Sequence, residues 1–257
     1  MIANPHLARS DLLEVAGLIA SGGDAPSLVR TRLPWLVEQV RADADAGRFD
    51  EWGLSTVIEG GVAPPIIPQS LCDDLHTIAG LPAQWPVGNA GVLHVYGYLL
   101  SAVRTSAGPK RARWLNPPLA RALGLAADAL TPWGAVPTVL AQVGAIARPI
   151  LDSPADAPGV QLWIDETTTS TVARTVVVRT QASVDAVLFY GVDAGEGMRL
   201  ITVFPVTRFD DSWIAGRVSS PPRLRYNAVS GTLPARAPLS AQRVLVGSST
   251  GDASSTT

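Results

Sequence analysis

The chain has 257 residues, of which 47% are hydrophobic and 16% charged, with a formal net charge of −2. That balance excludes intrinsic disorder, which needs low hydrophobicity and high net charge. It also excludes a global basic field drawing the chain to nucleic acid or anionic membrane. A single cysteine, Cys72, rules out an intramolecular disulfide framework and any multi-cysteine zinc or iron–sulfur site.

The N-terminus, Met1 to His6, lacks a basic region followed by an apolar core, so no secretory signal is expected. Ser10–Ile19 reads as a first helix, with Asp11 and Glu14 near its positive end. Pro34–Ala46 reads as a second, opened by proline and closed by Gly47. Residues 60–68 form a proline–glycine loop. Ser70-Leu71-Cys72-Asp73 has the spacing of a capping box and predicts a helix to Ala79. Cys72, Leu75 and Ala79 fall on its buried stripe, so Cys72 and His76 read as core residues rather than a dyad or metal pair.

Helices are further expected over 90–106, 117–130 and 136–148. The uncharged run from Asp128 to Arg148 is interrupted by Pro132, Pro137 and Gln142, which argues for a broken, buried helix and against a membrane span. Near residue 150 the composition changes from alanine and leucine to valine and threonine. Residues 152–159, with two prolines and a glycine, form the expected connector. Strands are expected over 160–167, 172–181, 184–192 and 198–206, with 193–197 as a hairpin loop. Pro205 should lie at a strand end or edge. The stretch 216–242 reads as irregular, 243–247 as a further strand and 248–257 as a disordered tail. The expected fold class is α+β: a helical region, 1–150, packed against an antiparallel β region of four to five strands, 151–247.

Nineteen of the 20 basic residues are arginine, Lys110 being the exception, and this with the alanine content suggests a GC-rich bacterial genome. In the 90–106 helix, Val92, Val95, Tyr96, Leu99, Leu100 and Val103 share one face, while His94, Tyr98, Ser101, Arg104 and Thr105 share the other. A histidine, a phenol and hydroxyls are unusual on a solvent face. They suit a polar pocket in which His94, Tyr98 and Ser101 do acid–base work. They equally suit a helix whose second face packs on the sheet, with His94 and Tyr98 hydrogen-bonded in the core.

No acidic residue occurs between Asp74 and Asp128, whereas Arg104, Lys110, Arg111, Arg113 and Arg121 do. The turn Gly108-Pro109-Lys110-Arg111-Ala112-Arg113-Trp114 offers guanidinium forks and an aromatic face to a phosphate, a carboxylate or a stacked base. The stretch between Asp211 and Asp252 is also free of acids. Within it, Arg223, Arg225 and Tyr226 alternate basic and apolar character, and would complete an electropositive cleft if the fold brings the two stretches together. The alternative is an exposed loop. Asp165-Glu166 at a strand end is a pair of carboxylates, more simply read as part of a hydroxyl-rich turn.

No Walker, dinucleotide-binding, nucleophile-elbow, zincin or EF-hand motif occurs. The expectation is a cytoplasmic, cofactor-independent hydrolase or lyase, without a metal, acting on a small anionic substrate; assembly as a homo-oligomer is compatible with it. Two alternatives stand beside it. One is a metal-free, toxin-like ribonuclease, against which the net charge counts. The other is a non-enzymatic ligand-binding or assembly protein using its seven tryptophans.

Overall fold

The computed structural model describes residues 5–58, 65–105, 108–116, 118–133, 137–167, 170–180, 185–206, 209–210, 212–213, 215–216 and 240–245. Residues 60–64 of the loop expected at 60–68, the stretch containing Arg223, Arg225 and Tyr226, and the tail 248–257 lie outside these residues.

Helix α1 (Pro5–Ala20) begins five residues earlier than its capping pattern suggests. Ala8, Leu12, Val15, Ala16 and Ile19 form its buried stripe at helical spacing. Helix α2 (Ala25–Arg32) was not expected, since it buries only Ala25 and Val29 and its pattern is too sparse to read. It is pinned from outside by Arg30 to Asp74 and Arg32 to Glu14. Helix α3 (Pro34–Asp45) has Pro34 in its first turn and buries Leu36, Val37, Val40 and Asp43. Gly47, at φ 66°, reverses the chain into a 3-10 turn over Arg48–Glu51.

Strand β1 (Leu54–Thr56) pairs antiparallel with β2 (Val87–Asn89). Between them lies α4 (Gln69–Ile78), and here the expected capping box is corrected. Pro68 occupies the cap position, Ser70 is already helical, and no side chain caps the end. The buried stripe is as expected, with Leu71, Cys72, Leu75 and His76 inside.

The expected helix 90–106 is shorter and wound differently. A π-helical stretch, Val92–Gly97, runs into α5 (Tyr98–Leu100), and the chain turns extended at Ser101, ψ 129°. Asn89 Oδ1 accepts from the N–H groups of Gly91 and Val92, capping the start. Past Leu100, Val103 N–H donates to Ser101 Oγ and the chain enters a hairpin, β3 (Arg104–Thr105) with β4 (Gly108–Pro109). That local competition from a serine hydroxyl and a Gly–Pro turn stops the helix. Helices α6 (Ala112–Leu115) and α7 (Pro118–Ala122) follow. The expected helix 117–130 therefore ends after one turn, at Gly124 with φ 73°.

Helix α8 (Val139–Asp152) is capped by Thr138, whose side chain accepts from Ala141 N–H. It starts three residues later than expected and includes Pro149, so its last turn takes in the start of the expected connector. Helix α8 packs on the C-terminal sheet. That sheet has the order β8-β7-β6-β5-β9, with all pairings antiparallel. Its strands are β5 (Val160–Thr167), β6 (Val172–Val178), β7 (Ala186–Asp193), β8 (Arg199–Val206) and β9 (Ser240–Leu245). Strand β9 starts inside the stretch expected to be irregular. Pro205 lies near the end of edge strand β8, where its missing N–H costs no ladder bond.

The α+β arrangement thus holds, with helices in the first half and an antiparallel sheet in the second. One contiguous core spans both halves. The free edge of β8 is partly covered, since Trp52 bridges Leu200 and Gly53 N–H donates to Leu200 O at 2.9 Å. Among the described residues no helix is long and apolar enough to cross a membrane.

Candidate functional site

His94 sits in the π-helical stretch and faces the sheet. Its Nδ1 is 2.6 Å from the carbonyl oxygen of Ile201 in β8, and its Nε2 is 2.8 Å from Ser55 Oγ in β1. A carbonyl oxygen only accepts, so Nδ1 carries the proton and Nε2 presents its lone pair to the serine hydroxyl. The ring is buried. Burial first, then the positive charges of Arg113 and Lys110, pull its pKa down to about 3. His94 is therefore a neutral imidazole throughout the physiological range.

One helical turn later, the Tyr98 ring packs against His94, centroids 4.8 Å apart and planes tilted by 37°. The same ring receives Lys110 Nζ at 5.4 Å and Arg113 Cζ at 5.1 Å. Arg113 also lies 5.8 Å from the Phe204 ring and donates from Nη1 to Thr202 Oγ1 at 2.9 Å. Its guanidinium is thus held against two aromatic rings and strand β8. Trp114, expected to offer a stacking face, is core: its Nε1–H donates to the His94 carbonyl at 2.6 Å. Ser101 is also buried, its Oγ turned to its own backbone at Val103.

The structure therefore brings together His94, Tyr98, Lys110 and Arg113. Arg104 is exposed on β3, and Arg111 is half-buried at the start of α6. Burial first, and Arg104 second, lower the Arg111 pKa. Among the described residues no carboxylate lies within ion-pair distance of Arg104 or Arg111. The hairpin β3–β4 and helix α6 thus present four cations in one loop cluster. The second basic stretch, with Arg223, Arg225 and Tyr226, lies outside the described residues.

Other groups singled out by sequence have structural roles. His76 Nδ1 bonds the Cys72 carbonyl at 2.7 Å, and its Nε2 accepts from Asn89 N–H at 2.9 Å. Both nitrogens are occupied and burial lowers its pKa. Burial pushes the Cys72 thiol up to about 12, which makes it a poor nucleophile. Asp165 forms a two-pronged ion pair with Arg174, at 2.8 and 2.7 Å, and Arg174 also donates to Leu151 O at 2.6 Å. The carboxylate ties β5 to β6, and the guanidinium ties β6 to α8.

Two polar centres were missed by sequence reading. Ser55 is one, in a strand too short to show alternation. Asp43 is the other: it is buried, accepts from Tyr96 Oη and from Thr138 Oγ1 (2.6 Å), and burial raises its pKa. An acid on the apolar stripe of α3 was the available signal for it. A cleft of about 530 Å³ opens elsewhere, between the 3-10 turn, α8 and the β7–β8 hairpin. Its lining carries Asp50, Glu51, Asp152 and Glu196 against Arg148 and Arg199, with Glu51, Asp152 and Glu196 paired to Arg48, Arg148 and Arg199. Among the described residues no group of three or more His, Cys, Asp or Glu side chains could hold a metal. Comparison with known proteins finds no family model, no curated protein and no solved structure that matches this chain.

Proposed function

We propose that the cationic turn binds a small anionic ligand and that the protein is a cofactor-independent enzyme of hydrolase or lyase type, with His94 as its acid–base group. The observation that carries this reading is the convergence of Lys110 and Arg113 on the Tyr98 ring that also packs on His94. Arg104 and Arg111 stand beside them without a carboxylate among the described residues. The charge of Arg104 lowers the Arg111 pKa, and an anion between these two would relieve that repulsion. A base beneath an anion clamp is the minimum apparatus for proton transfer on a bound substrate.

A small ligand suits the site better than a nucleic acid. Trp114 and Tyr98 are buried, so neither offers an open ring on which a base could stack. The lone, buried Cys72 fits a reducing cytoplasm.

The test is calorimetric titration with sulfate and with phosphate at low salt. Arg111→Ala should weaken binding roughly tenfold, the scale of one charge-assisted hydrogen bond. Binding should also fall as salt rises. Failure of the wild-type protein to bind either anion at low salt would overturn the reading.

A further inference from the structure

Resting on the anion-site reading above, we infer that Arg104 and Arg111 together select a dianionic phosphoryl group, which makes the ligand a phosphomonoester rather than a carboxylate or a phosphodiester. The two arginines are carried by one hairpin and the turn that follows it. Arg104 on β3 lies opposite Pro109 of β4, and Thr105 lies opposite Gly108. Thr105 Oγ1 donates to the Gly108 carbonyl at 2.9 Å, which closes the tip. Arg111 comes two residues after Pro109, and its carbonyl accepts from the N–H groups of Trp114 and Leu115 at 3.1 and 3.2 Å. Both side chains therefore leave hydrogen-bonded backbone, and the hairpin turns the chain back so that the second arginine comes within the field of the first.

Their charges act on each other. After burial, Arg104 is the second cause that lowers the Arg111 pKa. Arg111 is half-buried, so its guanidinium has given up part of its water. Arg174, also partly buried, is matched by Asp165 through two hydrogen bonds. Arg111 has no such carboxylate among the described residues, and neither has Arg104. Lys110 and Arg113 are engaged with the Tyr98 ring, and Arg113 also with Thr202, so the selection is assigned to the other two cations.

Two adjacent positive charges are balanced by two negative ones on a single compact group. A carboxylate or a phosphodiester carries one, and a dicarboxylate spreads its two over separate groups. A phosphomonoester brings close to two charges and three terminal oxygens, enough acceptors for two planar forks. Doubling the ligand charge also doubles its Coulomb attraction to each guanidinium.

The second ionisation of the ligand supplies the test. Calorimetric titration of the whole chain uses methyl phosphate, dimethyl phosphate, succinate and sulfate at low salt, at intervals from about pH 5 to 8. Methyl phosphate gains its second charge near pH 6, so its affinity should rise roughly tenfold over this range. Sulfate is doubly charged throughout and should show no such rise. Arginine does not deprotonate here, and buried His94, with a pKa of about 3, stays neutral. Dimethyl phosphate and succinate should each bind at least roughly tenfold more weakly than methyl phosphate at pH 8. Arg104→Ala, a change at an exposed side chain, should weaken methyl phosphate and flatten its pH dependence. Sulfate binding with a flat methyl phosphate profile, or with dimethyl phosphate or succinate bound as tightly, overturns the phosphomonoester and leaves the anion site standing. Unchanged methyl phosphate affinity in Arg104→Ala overturns the pairing of the two arginines. Binding of none of the four anions removes the anion site itself.

Discussion

Trp114 Nε1–H donates a 2.6 Å hydrogen bond to the backbone carbonyl of His94. The bond ties α6, which carries the cationic turn, to the π-helical stretch that carries the histidine. Both partners are buried. Trp114→Phe keeps most of the packing but leaves that carbonyl short of a donor, at a cost of about 1–2 kcal/mol. Urea denaturation should show the loss, and sulfate affinity should fall with it because Arg113 precedes Trp114 on the same turn.

Both core histidines should be found as the Nδ1–H tautomer. His76 and His94 each point Nδ1 at a carbonyl oxygen, of Cys72 and Ile201 respectively. Nitrogen-15 chemical shifts at neutral pH check this directly. Both folded pKa values lie below the ordinary 6.5, that of His94 at about 3. Their neutral forms therefore contribute stability that is complete above pH 6.5 and is lost as pH falls toward the folded values. The His94→Gln variant should lose stability less steeply than wild type between pH 6.5 and 4.

Asp43 acts in the opposite sense. Burial raises its folded pKa above the ordinary 3.8, so its contribution is present at low pH and is lost as pH rises through the folded value. Asp43→Asn cannot ionise. Its stability relative to wild type should improve as pH rises from about 4 through the folded pKa and then level off, measured by denaturant titration at each pH.

Two glycines with equal nominal crowding should respond in opposite ways. A Cβ on Gly88 would sit 2.3 Å from His76 Nε2, a ring fixed at both nitrogens. A Cβ on Gly144 would sit 2.3 Å from Glu51 Oε2, the end of a flexible, partly exposed side chain. Gly88→Ala must displace the ring or the β1–β2 ladder and should cost about 2 kcal/mol or more. Gly144→Ala needs only a swing of Glu51 and gains helix propensity, so it should be neutral or stabilising by up to about 1 kcal/mol. Thermal melts of both variants decide this.

Breaking the Asp165–Arg174 pair should be costly for a partly buried ion pair. Asp165→Asn removes the charge opposite a guanidinium that also holds the Leu151 carbonyl. The expected loss is about 2 kcal/mol, read from the urea midpoint and well above that of an exposed pair. The comparison is Arg148→Ala, whose 3.9 Å pair with Asp152 is exposed and should change little.

Periodicity alone determined the class of this fold. The alternation and valine content of 160–206 specify an antiparallel meander, and the stripes of α1, α3 and α8 need one face buried. It also placed His94, Tyr98 and the Lys110–Arg113 turn in adjacent segments, because these lie within twenty residues of one another. It could not supply α2, whose two buried residues, Ala25 and Val29, leave no readable stripe and whose Arg30 and Arg32 pair with acids on other helices. Nor could it end the helical reading at Leu100, where a serine hydroxyl and the following hairpin outcompete local propensity. Ser55, Ile201, Thr202 and Asp43 entered only with the tertiary structure. Their roles depend on strand register and helix docking between residues up to 107 positions apart, and contacts at that separation leave no local pattern. The net charge of −2 averages over the four cations Arg104, Lys110, Arg111 and Arg113, but the acid-free run between Asp74 and Asp128 shows them, because they are close in sequence.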